Sequence, residues 1–234
     1  MWVKLPLMTR ALAVVLLLVS VGSTQDAFDT TFYLWCWNSE FKEYRSRSAR
    51  SPLYVAPDGN SSVFASVNAT TQKLEEREGC LNRSTLFLTT QAAPAQLIYE
   101  RQGLPTGPQG NGIQIVDWSK DSTLLLADVF IWWDESDVFK HNLMLYNART
   151  RRIRLVDLNE LFSKHMGQHC EVDGRLRGFT AENDVVFEAW PIDEVYGASC
   201  VEKTQFWQVD ADNWRVSPLP PAYKTTLNSK RIKW

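Results

Sequence analysis

The chain has 234 residues, with 25 basic and 27 acidic side chains and 44% hydrophobic residues. A chain of this length can bury a sizeable core within one domain. The net charge of −2 and the interrupted basic clusters exclude the broad basic surface that nucleic-acid binding requires, so we expect no nucleic-acid partner.

The N-terminus has the three parts of a secretory signal peptide. Lys4 and Arg10 form a positive segment, residues 11–21 are almost entirely small or apolar, and Val21-Gly22-Ser23 offers small residues to a signal peptidase. The apolar run is shorter than the ~20 residues that a membrane span needs. We therefore predict a signal peptide over residues 1–23, with an uncleaved membrane anchor as the alternative.

Cleavage after residue 23 leaves residues 24–234, which we expect to form a single β-rich domain. Its 23 basic and 27 acidic residues give a net charge of −4. No later segment is long and apolar enough to cross a membrane. We therefore expect a secreted or periplasmic protein that does not insert into the membrane after signal removal and that binds no cofactor.

Aromatic and β-branched residues favour strands, and the chain contains ten tryptophans. Most apolar runs are short and are bounded by Gly, Asn, Asp or Pro, which is typical of strands. The exception is residues 157–165, where Leu158, Leu161 and Phe162 have the i, i+3, i+4 spacing of a helix. The pattern predicts an all-β fold with one short helix near residues 157–165.

A degenerate repeat of about sixty residues runs through the chain. Each copy has a short strand, a polar turn, and then three further apolar strands. The turn segments start at Ala56, Trp118 and Phe179, which offsets successive copies by 62 and 61 residues. The copies cover residues 52–99, 113–156 and 175–219. Four strands in each copy predict three antiparallel four-stranded, blade-like sheets.

The second copy resembles the repeat of TolB-like and WD40-like β-propellers. Its turn, Trp118-Ser119-Lys120-Asp121, leads into the apolar residues 124–127, and residues 143–146 lead into a second turn at Asn147. The family uses a Trp-Ser-x-Asp-Gly turn and a Tyr-Asp-type turn at these places, and Ser122 stands where Gly is usual. The resemblance implies a propeller-like fold.

Three blades are fewer than the four to eight with which propellers typically close. Unclosed blades leave open sheet edges that invite pairing with another chain. Three arrangements follow: a three-bladed fragment or prism, a homo-oligomer that covers the edges, or extra strands from residues 28–37.

Four cysteines in an exported chain predict two disulfides, for which three pairings exist. Cys80 and Cys200 each lie six residues before the third strand of their copies. Cys36 and Cys170 each lie upstream of the first strand of the same two copies. The repeat therefore favours the pairs Cys36–Cys80 and Cys170–Cys200.

The three histidines give little support for catalysis or metal binding. A triad hydrolase would need one of them beside a nucleophile, and the chain has no Gly-x-Ser-x-Gly elbow. A metal site of Cys170, His165 and His169 is the alternative to a disulfide, but zinc ligands usually come as paired short motifs. We expect no metal, and Gly167 indicates that the helix ends between the two histidines.

The most unusual surface signal is a pair of loops that combine tryptophan with carboxylates. They follow the second strand in copies two and three, so neighbouring blades would place both loops at one edge. Such side chains suit a carbohydrate, calcium or a basic protein; the alternative is that the tryptophans belong to the core. The candidate ligand-binding residues are Trp132, Trp133, Asp134, Asp137, Trp190, Asp193 and Glu194.

Three sequons occur in the first copy, at Asn60, Asn68 and Asn82. They are candidate glycosylation sites if the source glycosylates its secreted proteins.

The leading hypothesis for the function is an interaction module that binds a protein or a glycan through its loops. We expect a binding protein rather than an enzyme, with no catalytic residues assigned. The alternative is a glycosidase-like secreted hydrolase, in which two of Asp134, Asp137, Asp193 and Glu194 act as the carboxylate pair.

Overall fold

The computed structural model describes residues 36–38, 43–73, 78–91, 93–103, 109–133, 139–193 and 197–220. The predicted signal peptide, residues 1–23, lies outside the described residues. Within the described ranges, no helix has the length and apolar character needed to cross a membrane.

The strands form a short hairpin and three antiparallel sheets. The hairpin consists of β1 (Trp37–Asn38) and β2 (Glu43–Tyr44). Sheet 1 contains β3 (Arg47–Arg50), β4 (Tyr54–Val55), β5 (Ser61–Lys73), β6 (Glu78–Thr90) and β7 (Ala93–Gln102). Sheet 2 contains β8 (Gln109–Trp118), β9 (Leu124–Trp133), β10 (Phe139–Asn147) and β11 (Arg152–Asp157). Sheet 3 contains β12 (Asp173–Phe179), β13 (Val185–Trp190), β14 (Gln205–Val209) and β15 (Val216–Pro218).

Sheet 1 has a first strand that is broken in two. Both β3 and β4 pair antiparallel with β5, and Pro52 lies between them. Because proline has no N–H to donate to a sheet ladder, it interrupts the strand. Ser51 compensates locally, since its Oγ accepts a 2.9 Å hydrogen bond from the amide of Ala65.

The tight turn before the second strand is the same in all three sheets. Gly59, Ser122 and Asn183 have φ values of 73°, 61° and 70°, in the left-handed region that Gly and Asn adopt most readily. The amide of each donates to the carbonyl three residues earlier. The turns therefore lie 63 and 61 residues apart, which corrects the first predicted offset by one residue.

The only helix in the described part of the chain is α1 (Leu158–Met166), close to the predicted range of 157–165. Asp157 caps its N-terminus by accepting a 3.0 Å hydrogen bond from the amide of Asn159. Gly167 ends it in a left-handed conformation, with φ of 70°. The apolar side that the sequence predicted is buried, and it packs between sheets 2 and 3.

Strands β9 and β10 of sheet 2 are buried on both of their faces. Alternate residues of β9 and β10 enter two different cores, because successive side chains of a strand point to opposite sides. Met144 and Tyr146 pack with residues of sheet 1 such as Val67. Leu143 and Leu145 pack with α1 and sheet 3. Burial on both sides explains why β9 is apolar along nearly its whole length.

The structure confirms the predicted fold class: three antiparallel meanders of four strands, with sheet 1 carrying its first strand in two pieces. The meanders pack against each other in chain order, which is a propeller-like arrangement. Both predicted disulfides, Cys36–Cys80 and Cys170–Cys200, are present, and no described cysteine is free.

We predict that Leu145→Ala lowers the free energy of unfolding by about 2–5 kcal/mol through lost burial and the cavity it leaves. Leu145 is 4% exposed between sheets 2 and 3. The matched control is Leu155→Ala on neighbouring β11, where the leucine is 41% exposed, so the same change should cost well under about 1 kcal/mol. Urea melts of both variants measure the difference, and equal losses would contradict the packing of sheet 2.

Candidate functional site

The two acidic, tryptophan-containing loops leave the sheets at the same end of the molecule. Strand β9 ends with Trp132 and Trp133, and β13 ends with Trp190. The two strands belong to adjacent sheets. A side-chain contact joins these strand ends, because His141 beside β9 approaches Asp173, which is paired with Trp190. We call this end, where Cys80 and Cys200 also lie, the disulfide end.

The predicted ligand-binding residues have different surroundings at the disulfide end. Trp132 is only 1% exposed, so its side chain is part of the interior and offers no free face to a ligand. Gly110 makes room for it, since a Cβ on Gly110 would lie 2.0 Å from the Trp132 indole. Asp193 is exposed. The other predicted positions lie outside the described residues: the side chain of Trp133, and Asp134, Asp137 and Glu194.

Trp190 is half-buried and held by two neighbours. Its indole Nε1 donates a 2.9 Å hydrogen bond to Oδ2 of Asp173. The guanidinium carbon of Arg175 lies 5.3 Å from the centre of the indole ring, within the range of a cation–π contact. These contacts fix the position of Trp190 at the start of the β13–β14 loop.

A histidine bridges carboxylates of two sheets directly beneath the loops. Nδ1 of His141 lies 2.7 Å from Oδ2 of Asp128, and its Nε2 lies 3.7 Å from Oδ1 of Asp173. Asp128 and His141 belong to sheet 2, whereas Asp173 belongs to sheet 3. We call this group the Asp128–His141–Asp173 bridge. Asp128 is 3% exposed, and its Oδ1 has no hydrogen-bond partner among the described residues.

The bridge changes the acidity of the imidazole. Burial by itself lowers the pKa of His141, but the charge and hydrogen bond of Asp128, followed by the charge of Asp173, outweigh it. The net result is a pKa raised above the usual 6.5. Because of the raised pKa, the imidazole keeps its proton, and with it a positive charge between two carboxylates at the boundary between sheets, to a higher pH than a free histidine does.

One feature of the sequence indicates a buried polar contact at Asp128. Asp128 is the one charge in the otherwise apolar residues 124–133. A strand that is apolar throughout is buried on both faces, and a charge in such a strand requires a buried partner. The signal identifies Asp128, but not Asp173, which reaches the site from another sheet.

The β13–β14 loop is firmly attached to the segment before β12. The Cys170–Cys200 disulfide joins them, and Glu171 and Ser199 form a parallel bridge between them. The amide of Ile192 also donates to Oγ of Ser199 at 3.3 Å.

A shallow, open groove with a mostly apolar lining lies within this loop, next in sequence to Trp190. Its lining residues are Pro191, Ile192, Gly197, Ala198, Ser199, Val201 and Glu202.

The metal alternative is contradicted at Cys170, whose sulfur is bonded to Cys200 and therefore cannot act as a thiolate ligand. His165 packs edge-on against Trp207, with 5.7 Å between ring centres. Across the described residues, no three His, Cys, Asp or Glu side chains are grouped as metal ligands. The carboxylate pair of the hydrolase alternative rests on four residues of which only Asp193 is described.

The three sequons are not equivalent. Asn60 and Asn68 are exposed, whereas Asn82 is 0% exposed. Oδ1 of Asn82 accepts a 2.9 Å hydrogen bond from the amide of Asn111, which ties sheet 1 to sheet 2. In the folded chain, Asn82 is therefore an internal hydrogen-bonding residue with no room for a glycan.

The comparisons with known proteins identify no relative. No protein-family model matches the chain, and no curated protein matches it significantly.

We predict that Asn82→Gln lowers the free energy of unfolding by about 1–3 kcal/mol, because it leaves the buried amide of Asn111 without its acceptor. Asn68→Gln is the matched control at an exposed position of β5 and should change stability by less than about 0.5 kcal/mol. Urea melts measure both. Expression in a glycosylating host should give glycans at Asn60 and Asn68 only, and a folded protein with a glycan on Asn82 would contradict its burial.

We predict that NMR titration of His141 gives a pKa above 6.5, with the resonance assigned by its loss in His141→Gln. Asp173→Asn should lower this pKa because it removes one of the two carboxylates. Since the folded pKa lies above the unfolded value, the stabilisation from protonated His141 is complete below the unfolded pKa and is lost as the pH rises through the folded pKa. A folded pKa below 6.5 would contradict the geometry of the bridge.

Proposed function

We propose that the chain is an exported interaction module, which binds a protein or glycan partner at the disulfide end. The observation that carries the proposal is the form of the site: a shallow, mostly apolar groove in the β13–β14 loop, beside the anchored Trp190. An open groove suits an extended chain segment or a sugar ring laid on a surface. A hydrolase needs instead an enclosed site that positions its catalytic groups and limits water.

The rigidity of the disulfide end supports the same proposal. A preorganised surface loses less conformational entropy on binding than a mobile one. The β13–β14 loop is held by the Cys170–Cys200 disulfide and by the backbone bonds of Glu171 to Ala198 and Cys200, at 2.8 and 2.7 Å. Two disulfides also agree with an oxidising compartment, which is why we propose export together with the signal-like residues 1–23.

The test uses the purified mature chain, residues 24–234, as bait for the secreted fraction of its native source and for a glycan array. We predict that Ile192→Asp, in the groove, weakens capture of a specific partner by about tenfold or more, as is typical of a disrupted hot spot. The matched control is Val55→Asp on β4 in sheet 1, where the valine is 57% exposed, and it should bind as the unaltered chain does.

Circular dichroism checks that both variants keep their strands. If the unaltered chain and both variants capture the same partner equally, the partner binds outside the groove. The proposal is overturned if no protein or glycan binds Ile192→Asp more weakly than it binds Val55→Asp.

A further inference from the structure

The Asp128–His141–Asp173 bridge joins sheet 2 to sheet 3 through side chains at the disulfide end. Asp128 and His141 come from adjacent strands of sheet 2, and neither can withdraw into solvent, because their side chains are only 4% and 14% exposed. Asp173 comes from the first strand of sheet 3 and is 37% exposed. The bridge therefore joins a fixed pair on one sheet to a more accessible carboxylate on the next.

Each end of the bridge lies close to the C-terminal end of a strand. On sheet 2, His141 lies opposite Phe130, two residues before Trp132 near the end of β9. On sheet 3, Asp173 accepts the indole N–H of Trp190, the last residue of β13. A change in the contact between His141 and Asp173 would therefore act on the ends of these two strands.

We propose that His141 is a positioning residue that, when protonated, acts as a clamp between sheets 2 and 3 and holds the C-terminal ends of β9 and β13 in register. The proposal rests on the proposed function in giving this clamp a role in partner binding, which it would regulate by pH.

The two protonation states differ in what they can hold. The neutral imidazole can keep one N–H directed at Asp128, but it then has no charge with which to attract Asp173. The protonated imidazole carries N–H groups at both nitrogens and a positive charge between two carboxylates. The 3.7 Å separation from Asp173 is too long for a hydrogen bond but short enough for an ion pair, so this side of the bridge depends on charge.

Among the described residues, the other charged side chains of the packed strands have partners of their own. On β8, the residues that face Asp128 and Phe130 are Gln114 and Gly112. Lys140 pairs with Asp157 at 2.5 Å on the opposite face of sheet 2. On β12, Arg175 and Arg177 both contact Glu188 instead. Within the described part of the chain, Asp128 and Asp173 are the charged groups that raise the pKa of the His141 imidazole.

The experiment is a double-mutant cycle of His141→Gln and Asp173→Asn in the mature chain, measured by urea unfolding at pH 5.5 and at pH 9. Both substitutions keep hydrogen-bonding groups while removing the charges. The unfolding constants should show a coupling of about threefold or more at the acidic pH, within the range found for residues in contact. The coupling should approach one at pH 9, where His141 is neutral.

Amide hydrogen exchange of residues 197–204 provides the second readout. After correction for intrinsic rates, their protection should fall severalfold between the two pH values in the unaltered chain and should not change with pH in His141→Gln. Lys140→Gln is the matched control, since it removes an ion pair from the adjacent residue without breaking a link between sheets. It should respond to pH as the unaltered chain does.

Equal coupling at both pH values, or loop protection with the same pH response in His141→Gln as in the unaltered chain, would overturn the clamp. If His141→Gln does not fold, Asp173→Asn replaces it, because the side chain of Asp173 is partly exposed and tolerates the change. Asp173→Asn must then abolish the pH response of residues 197–204. None of these measurements uses a partner, so the clamp can fail while the proposed binding function stands, and the converse also holds.

Discussion

Burial of strands β9 and β10 on both faces is the constraint from which most features of the molecule follow. Polar groups inside a protein are stable when they find partners there. Buried polar side chains in and beside these strands accordingly contact a neighbouring strand or sheet. Asn111 meets Asn82 of sheet 1, and the pair of Asp128 and His141 meets Asp173 of sheet 3. These polar contacts fix how the three sheets are aligned, which apolar packing alone specifies less well.

The two ends of the sheets differ in how the chain connects successive strands. At one end, three similar tight turns with local hydrogen bonds close the meanders. The amide of Asp58 in the first turn also donates to Oγ of Ser122 in the second turn, at 3.0 Å. At the disulfide end, the β13–β14 connection is longer than these turns and is held by the Cys170–Cys200 disulfide and by the bridge between Glu171 and Ser199.

Local patterns in the sequence were sufficient to predict the sheets, the helix and the disulfide pairs. The strands repeat with nearly constant spacing, α1 shows its i, i+3, i+4 stripe and its Gly167 stop, and the cysteines occupy equivalent places in two copies. These features depend on residues close in the chain. The exception was the spacing between the first two turns, which was predicted one residue short because Ala56, and not Val55, was aligned with Trp118.

The candidate site was predicted less well, because its contacts join residues that are distant in the chain. The sequence placed Trp132 on a ligand-facing surface, and only the structure shows that Gly110 of the neighbouring strand leaves a recess for its ring. Asn82 looked like a modification site until its contact with Asn111 was seen. The partnership of His141 with Asp173 could not be predicted, since it depends on how two sheets pack rather than on any pattern within one.

The positions of the two disulfides have a consequence for how the molecule would respond to a reducing environment. The Cys36–Cys80 disulfide joins the start of the β1–β2 hairpin to β6 of sheet 1. The Cys170–Cys200 disulfide joins the segment before β12 to the β13–β14 loop of sheet 3. Among the described residues, neither crosses between sheets, and sheet 2 contains no cysteine. Reductants would therefore loosen the two flanks first while the apolar contacts of the middle sheet persist. Thiol chemistry in this protein would thus act on the disulfide end and leave the cohesion of the fold to packing.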